Sequence, residues 1–245
     1  MRIAQQTAWM LVLISALIAC ISAGWFSLAK VHYGFDHWYD FYEIEAHIDR
    51  YGPQNRYKPG LQELPPEQHI RLFNDISEAI HQHGEGLEDI RYDFRGRSIT
   101  LLRQPEVVHL QDVANLIDVL RITAWVAAAI ALTGTVLLAR LKLTPQWRIQ
   151  AGLLLLLIAG SFAVVMLIGP LEVFYFLHVH IFPEDHEWFF YYQDSLMATV
   201  MRAPVVFGGI AAAIAVLGLV FFIAYLFALK YFLRWQLGRK AGVIL

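Results

Sequence analysis

The sequence predicts an α-helical integral membrane protein with four transmembrane helices and a small extracytoplasmic α+β cap domain between helices 1 and 2. Three observations predict it. Hydrophobic residues make up 58% of the 245 positions against 16% charged, and the mean hydropathy is +0.48, too apolar for a soluble protein of this size. Four spans, at 7–29, 118–140, 150–178 and 203–230, are rich enough in apolar residues to cross a hydrocarbon layer, which takes about 20 residues of helix. Between the first two lies a polar, patterned segment, 30–117, too long for a plain loop.

Four helices place both termini on one side of the membrane. Lys and Arg in the short flanks choose that side. Arg140, Lys142 and Arg148 between the second and third spans, and Lys230, Arg234, Arg239 and Lys240 after the fourth, face the cytoplasm, and Arg2 agrees. Segments 30–117 and 179–202 are then expected outside. A net charge of -2 without a basic, aromatic-interleaved stripe points away from nucleic acid. The single cysteine, Cys20, has no partner for an internal disulfide. Leu17-Ile18-Ala19-Cys20 loosely resembles a lipobox, but the apolar run continues through Ala29 and only Arg2 precedes it, so an uncleaved first helix with an inert cysteine is expected.

In the outer segment, Trp38, Phe41, Glu45 and Ile48 recur at helical intervals and predict a helix over 35–51. Gly52-Pro53 through Pro65-Pro66 reads as turns. Pro66 and Glu67 make a good first helical turn, Ile70, Phe73, Ile76 and Ile80 supply an apolar face, and Gly84 is placed as a stop. Ile90, Tyr92 and Phe94 alternate with polar residues, Arg95-Gly96 can turn and Ser98–Leu102 return, which predicts a β-hairpin. His32, His37, His47, His69, His81 and His83 are read as surface histidines of this cap.

Pro105 suits the start of a helix and Glu106 complements its dipole, and that helix runs through His109 and Asp112 into the second span. The third span leaves the membrane through Glu172-Val173-Phe174-Tyr175-Phe176-Leu177-His178-Val179-His180. Trp188 to Tyr192 then suit an interfacial aromatic belt. Asp194-Ser195 can cap a short helix leading to Pro204.

Glu106, His109 and Asp112, at i, i+3 and i+6, fall within roughly 120° on a helix, so a carboxylate can reach the imidazole and fix its tautomer. The alternative is a solvated helix entry with ordinary polar residues. Depth adds an argument: counted from the cytoplasmic ends of their helices, His109 and His178 both project on the order of 13 to 16 Å past the outer hydrocarbon edge. His180 and His186 compete with His178, and a His-x-His pair with Asp185 suits zinc. Without an HExxH motif no metal is expected, and a bis-histidine haem has no other signature, so no cofactor is expected either. Glu172, costly near lipid, either reaches the interface or pairs with Arg121 or Arg202.

Taken together, Glu106-x-x-His109-Leu110-x-Asp112-Val113, then Leu177-His178-x-x-x-Phe182-Pro183, Trp188 and Asp194-Ser195-Leu196 resemble the family of bacterial lipoprotein intramolecular transacylases. The family has a Phe where Leu177 stands, and the step from His178 to Trp188 is one residue longer here, which leaves the choice between His178 and His180 open. The resemblance implies four membrane helices in the bacterial cytoplasmic (inner) membrane and, as partners, diacylglyceryl-modified lipoproteins and membrane lipid. It implies transfer of the sn-2 acyl chain of the diacylglyceryl group to the α-amine of the same lipidated cysteine, giving a lyso-form lipoprotein. His109 and His178 are then the catalytic pair. Glu106, Asp112, His180, Glu172, Trp188 and Asp194 support them, with Glu106 or Asp112 orienting His109 and Trp188 lining the lipid entry. The rival reading is a non-catalytic membrane protein whose outer cap binds or escorts a partner.

Overall fold

A computed structural model describes residues 2–241; the side chains of Arg2, Arg239 and Lys240, used above for orientation, lie outside the described ones. Among the described residues, four helices are long and apolar enough to cross a membrane: Ile3–Ala29, Gln104–Arg140, Trp147–Ile168 and Val205–Gln236. Nine α-helices and one hairpin are described: α1 Arg2–Ala29, α2 Phe35–Phe41, α3 Ile44–Tyr51, α4 Pro66–His81, β1 Arg91–Phe94, β2 Arg97–Thr100, α5 Gln104–Arg140, α6 Trp147–Ile168, α7 Pro170–Ile181, α8 Leu196–Met201 and α9 Val205–Ala241. The chain divides into two compact units. One is Met1–Phe26, Leu120–Gly169 and Ala213–Leu245; the other is Ser27–Val119 and Pro170–Ala212.

The first unit is helix packed on helix. Trp9, Val12, Leu13 and Ala16 of α1 bury against Ala131 and Leu138 of α5, Leu154 of α6 and Phe222 and Leu229 of α9. Two glycines permit close approach: a Cβ on Gly218 would lie 2.7 Å from Ile21 Cα. At one end, amides replace apolar contacts. Gln150, 1% exposed, donates to the Gln6 carbonyl at 3.1 Å, and Trp9 Nε1 donates to the Leu143 carbonyl at 3.0 Å. Gln150 and Leu154 are the buried residues of α6, so a helix apolar on all sides is left for lipid to cover.

The second unit is α+β. The hairpin pairs Arg91 with Thr100 and Phe94 with Arg97, and its turn residues, Arg95 at φ 50° and Gly96 at φ 77°, are those expected of a two-residue loop with both central φ positive. α4 starts at Pro66 as expected and ends at His81, ahead of the expected stop at Gly84; its buried face includes His69, Leu72, Phe73 and Ile76. Phe73 stacks on Phe35 at 3.7 Å.

Four expectations are corrected. The helix over 35–51 breaks into α2 and α3 at Glu43, whose φ is 48°, and the buried positions are Phe35, Tyr39, Ile44 and Ile48, while Phe41 is exposed. His69 is 2% exposed rather than on the surface: its place on the α4 stripe puts it between the Tyr39 hydroxyl at 2.7 Å and the Leu61 carbonyl at 2.8 Å. A helix continuous over 150–178 is interrupted at Gly169, φ 102° and ψ 130°, followed by Pro170, which supplies no N–H for a continuing ladder. Finally, the α+β unit is not confined to 30–117. All six residues of α8 are buried, and this helix packs on α3 and α4, so chain from beyond the third span completes the core. An apolar hexapeptide just ahead of a membrane helix gives no local sign of which side it packs on.

Candidate active site

The site is built at the N-terminus of α5. Glu106, in its first turn, is fully buried. Its Oε2 accepts the Arg103 backbone N–H at 2.7 Å, and its Oε1 accepts the Ser195 hydroxyl. Ser195 is also the cap of α8, its Oγ accepting from the Ala198 N–H at 2.8 Å. One hydroxyl therefore joins two helix starts, and a carboxylate that would be costly to bury alone has its partners.

One turn further along α5 lies His109, 8% exposed. The His178 ring, carried by α7, has its centre 6.1 Å away. Phe182 lies 5.0 Å from His109 and 5.2 Å from His178, Phe190 lies 6.0 Å from His109, and Trp188 lies 5.0 Å from His178 and 5.8 Å from Tyr175. The irregular segment 182–195 thus walls the pair with aromatic rings. His178 Nδ1 is 2.8 Å from the Phe174 carbonyl, which can only accept, so the proton of the neutral ring sits on Nδ1 and Nε2 holds the lone pair. His109 Nδ1 is buried with no hydrogen-bond partner.

Neither expected carboxylate orients His109. Glu106 is engaged by Ser195 and Arg103, and Asp112 Oδ2 accepts from His186 Nδ1 at 2.6 Å. The hydrogen bond to Asp112, helped by the charges of Asp112 and Asp185, holds the His186 ring above its ordinary value against the opposing effect of desolvation. His180 is exposed and turns its Nδ1 to the Phe176 carbonyl at 2.8 Å, so the geometry brings His178, not His180, to His109. Asp194 pairs with Arg56 at 3.2 Å. Glu172 forms no ion pair among the described residues; Arg202 donates to the Tyr42 carbonyl instead.

Sequence reasoning missed His186 as the partner of Asp112, and Ser195 as the partner of Glu106. The cap signal at Ser195 was readable; its second bond was not, because it joins residues 89 apart in the chain.

Fold and site define a polytopic helical membrane protein whose second unit encloses a paired-histidine centre walled by aromatics. The model of the family described as lipoprotein intramolecular transacylase Lit matches residues 85–203, the stretch holding His109, His178 and Ser195. Over that stretch, a little under half of the chain, the sequence is similar to that family. Three solved structures of the membrane-integral lipoprotein intramolecular transacylase from Bacillus cereus are similar to it. Two share 16% identity at a TM-score of 0.66, covering 98% of this chain and 95% of that one, and 99% and 100% respectively. A third shares 15% at a TM-score of 0.63, covering 98% and 96%. Two of the three carry a substitution of one histidine, to arginine and to alanine. At such identity the structural likeness speaks for the fold. No curated protein sequence matches the chain.

Proposed function

We propose that this chain moves the sn-2 acyl chain of a lipoprotein's diacylglyceryl group onto the α-amine of the same lipidated cysteine, with His109 and His178 as its acid–base pair. The observation that carries this reading is the approach of the two rings, 6.1 Å between centres, inside an aromatic wall. Amine and ester belong to one molecule, so proximity supplies much of the rate and no enzyme nucleophile is required. Ser195 is spent on Glu106 and on the cap of α8, which fits that economy.

What remains is to take a proton from the attacking amine and to stabilise the tetrahedral oxyanion. His178 suits the base, since its Nδ1–H bond leaves Nε2 as acceptor. His109, buried beside it, suits the donor to the oxyanion, and the proton gained by His178 then passes to the departing glycerol oxygen. The N–C bond forms as the ester C–O bond breaks, and no proton is lost overall. Trp188, Phe182 and Phe190 would hold the acyl chain and keep water out. The test is mass spectrometry of lipoprotein N-terminal peptides from cells producing each variant. His109→Ala and His178→Ala are expected to lower the N-acyl lyso product by about 10²-fold or more at equal membrane abundance. Unchanged spectra from both would return the chain to the rival reading of a non-catalytic escort.

A further inference from the structure

Arg103 stands just before α5, its carbonyl accepting the Val107 N–H at 3.0 Å, and this puts its guanidinium beside the site. The side chain is largely buried, at 18% exposure. Its Cζ lies 4.6 Å from the centre of the Tyr57 ring and 6.0 Å from that of Phe190, the ring that stands 6.0 Å from His109. Nε faces the Glu106 carboxylate at 3.4 Å without making a hydrogen bond. Neither terminal nitrogen meets an acceptor among the described residues.

The neighbouring cations differ. Lys58 donates to the Thr100 carbonyl at 2.6 Å, the Thr100 hydroxyl at 3.2 Å and the Leu102 carbonyl at 2.6 Å. Arg56 is paired with Asp194. Arg103 is ion-paired with Glu106 through Nε but makes no hydrogen bond there, its fork of N–H donors is planar, and it cannot shed its charge. Nε is a buried donor without a hydrogen-bond partner, and two flanking rings hold the guanidinium in place, so little freedom is lost when oxygen acceptors meet the fork.

We propose that Arg103 is a specificity-determining residue that holds backbone carbonyl oxygens of the lipoprotein peptide just beyond its lipidated cysteine. This rests on the acyl-transfer reading of the site. The substrate offers three kinds of group: a cationic amine, which the guanidinium repels; acyl chains, which suit the aromatic wall; and carbonyl oxygens, which suit the fork. Two steps of 6.0 Å separate the guanidinium from His109. An extended peptide advances about 3.3–3.6 Å per residue, so a reach of at most about 12 Å matches the carbonyls of roughly the second and third residues after the cysteine.

The experiment uses the purified full-length protein in detergent with two synthetic substrates, a diacylglyceryl-cysteine amide and the same lipid on a cysteinyl pentapeptide. The wild type is expected to favour the pentapeptide in kcat/KM by about tenfold or more, carried mainly by KM, the scale of one charge-assisted hydrogen bond. Arg103→Met brings that ratio close to one, and Arg103→Lys, which keeps the charge beside Glu106 but loses the fork, retains part of it. A wild type indifferent to peptide length, or an Arg103→Met variant with the wild-type ratio, overturns the proposal. A loss shared equally by both substrates would show that Arg103 serves only Glu106, and overturns it too. Should Arg103→Met fail to accumulate, an unchanged ratio in Arg103→Lys has the same effect. Turnover of neither substrate by the wild type would instead sink the acyl-transfer reading itself.

Discussion

The two units of this chain are held together by opposite means. Every Asp and Glu lies in the unit formed by Ser27–Val119 and Pro170–Ala212, whereas the charged residues of the other are all Lys or Arg. The first unit relies on close helix approach, as at Gly24 and Gly218, and on amide ties at one end. The second buries polar groups in pairs: Glu106 with Ser195, His69 with Tyr39, Tyr92 with the Pro59 carbonyl. Carboxylates are expensive in hydrocarbon, and the buried carboxylate and histidines lie in the unit built around α+β packing.

Substitutions can break that contrast. Its largest expected effect on stability is at Glu106, where alanine leaves the Ser195 hydroxyl and the Arg103 N–H without their acceptor. A loss of about 3 kcal/mol or more is expected in denaturant unfolding, with Ser195→Ala costing about half as much. In the first unit, Gly218→Val should destabilise by about 1–3 kcal/mol through the clash with Ile21, read as a lower midpoint of thermal unfolding.

Acidity sharpens the comparison, because the histidines of the second unit respond in opposite directions. Burial first, then the charges of Arg202 and Arg50, push His47 down to about 4. The unfolded chain binds this proton near pH 6.5 and the folded one only near 4, so stability should fall as pH drops from about 6.5 toward 4. His186 is held high, so its tie to Asp112 is fully present below about pH 6.5 and is lost as pH rises through its raised value. Unfolding midpoints followed against pH should show a shallower acid slope in His47→Asn, since buried His69 contributes in the same direction, and a shallower alkaline slope in His186→Asn. The smallest effect is expected at Leu156, 69% exposed on α6, where alanine should change stability by less than about 0.5 kcal/mol.

How much of this was legible can be judged from particular residues. α4 and the hairpin were readable because their signals are local: Pro66 at a helix start, spaced apolar residues, and Arg95-Gly96 between alternating strands. His69 was misread because its neighbours on the stripe, Leu72 and Phe73, draw it inward whatever its own polarity. His109 and His178 could be nominated by helix depth and by resemblance. What each of the surrounding carboxylates does could not, since Asp112 meets a residue 74 positions away and Glu106 one 89 positions away.

The sequence by itself determined the four apolar helices, the hairpin, the helix over 66–81 and the two candidate histidines, because hydrophobic length, periodicity and turn chemistry act over a few residues. Only the tertiary structure decided that α8 completes the α+β core, that the chain breaks at Gly169 to begin α7, and that Ser195 and His186 claim Glu106 and Asp112. Those outcomes depend on which distant surfaces meet once the helices pack, and a buried polar group takes whichever partner that packing brings within hydrogen-bond reach.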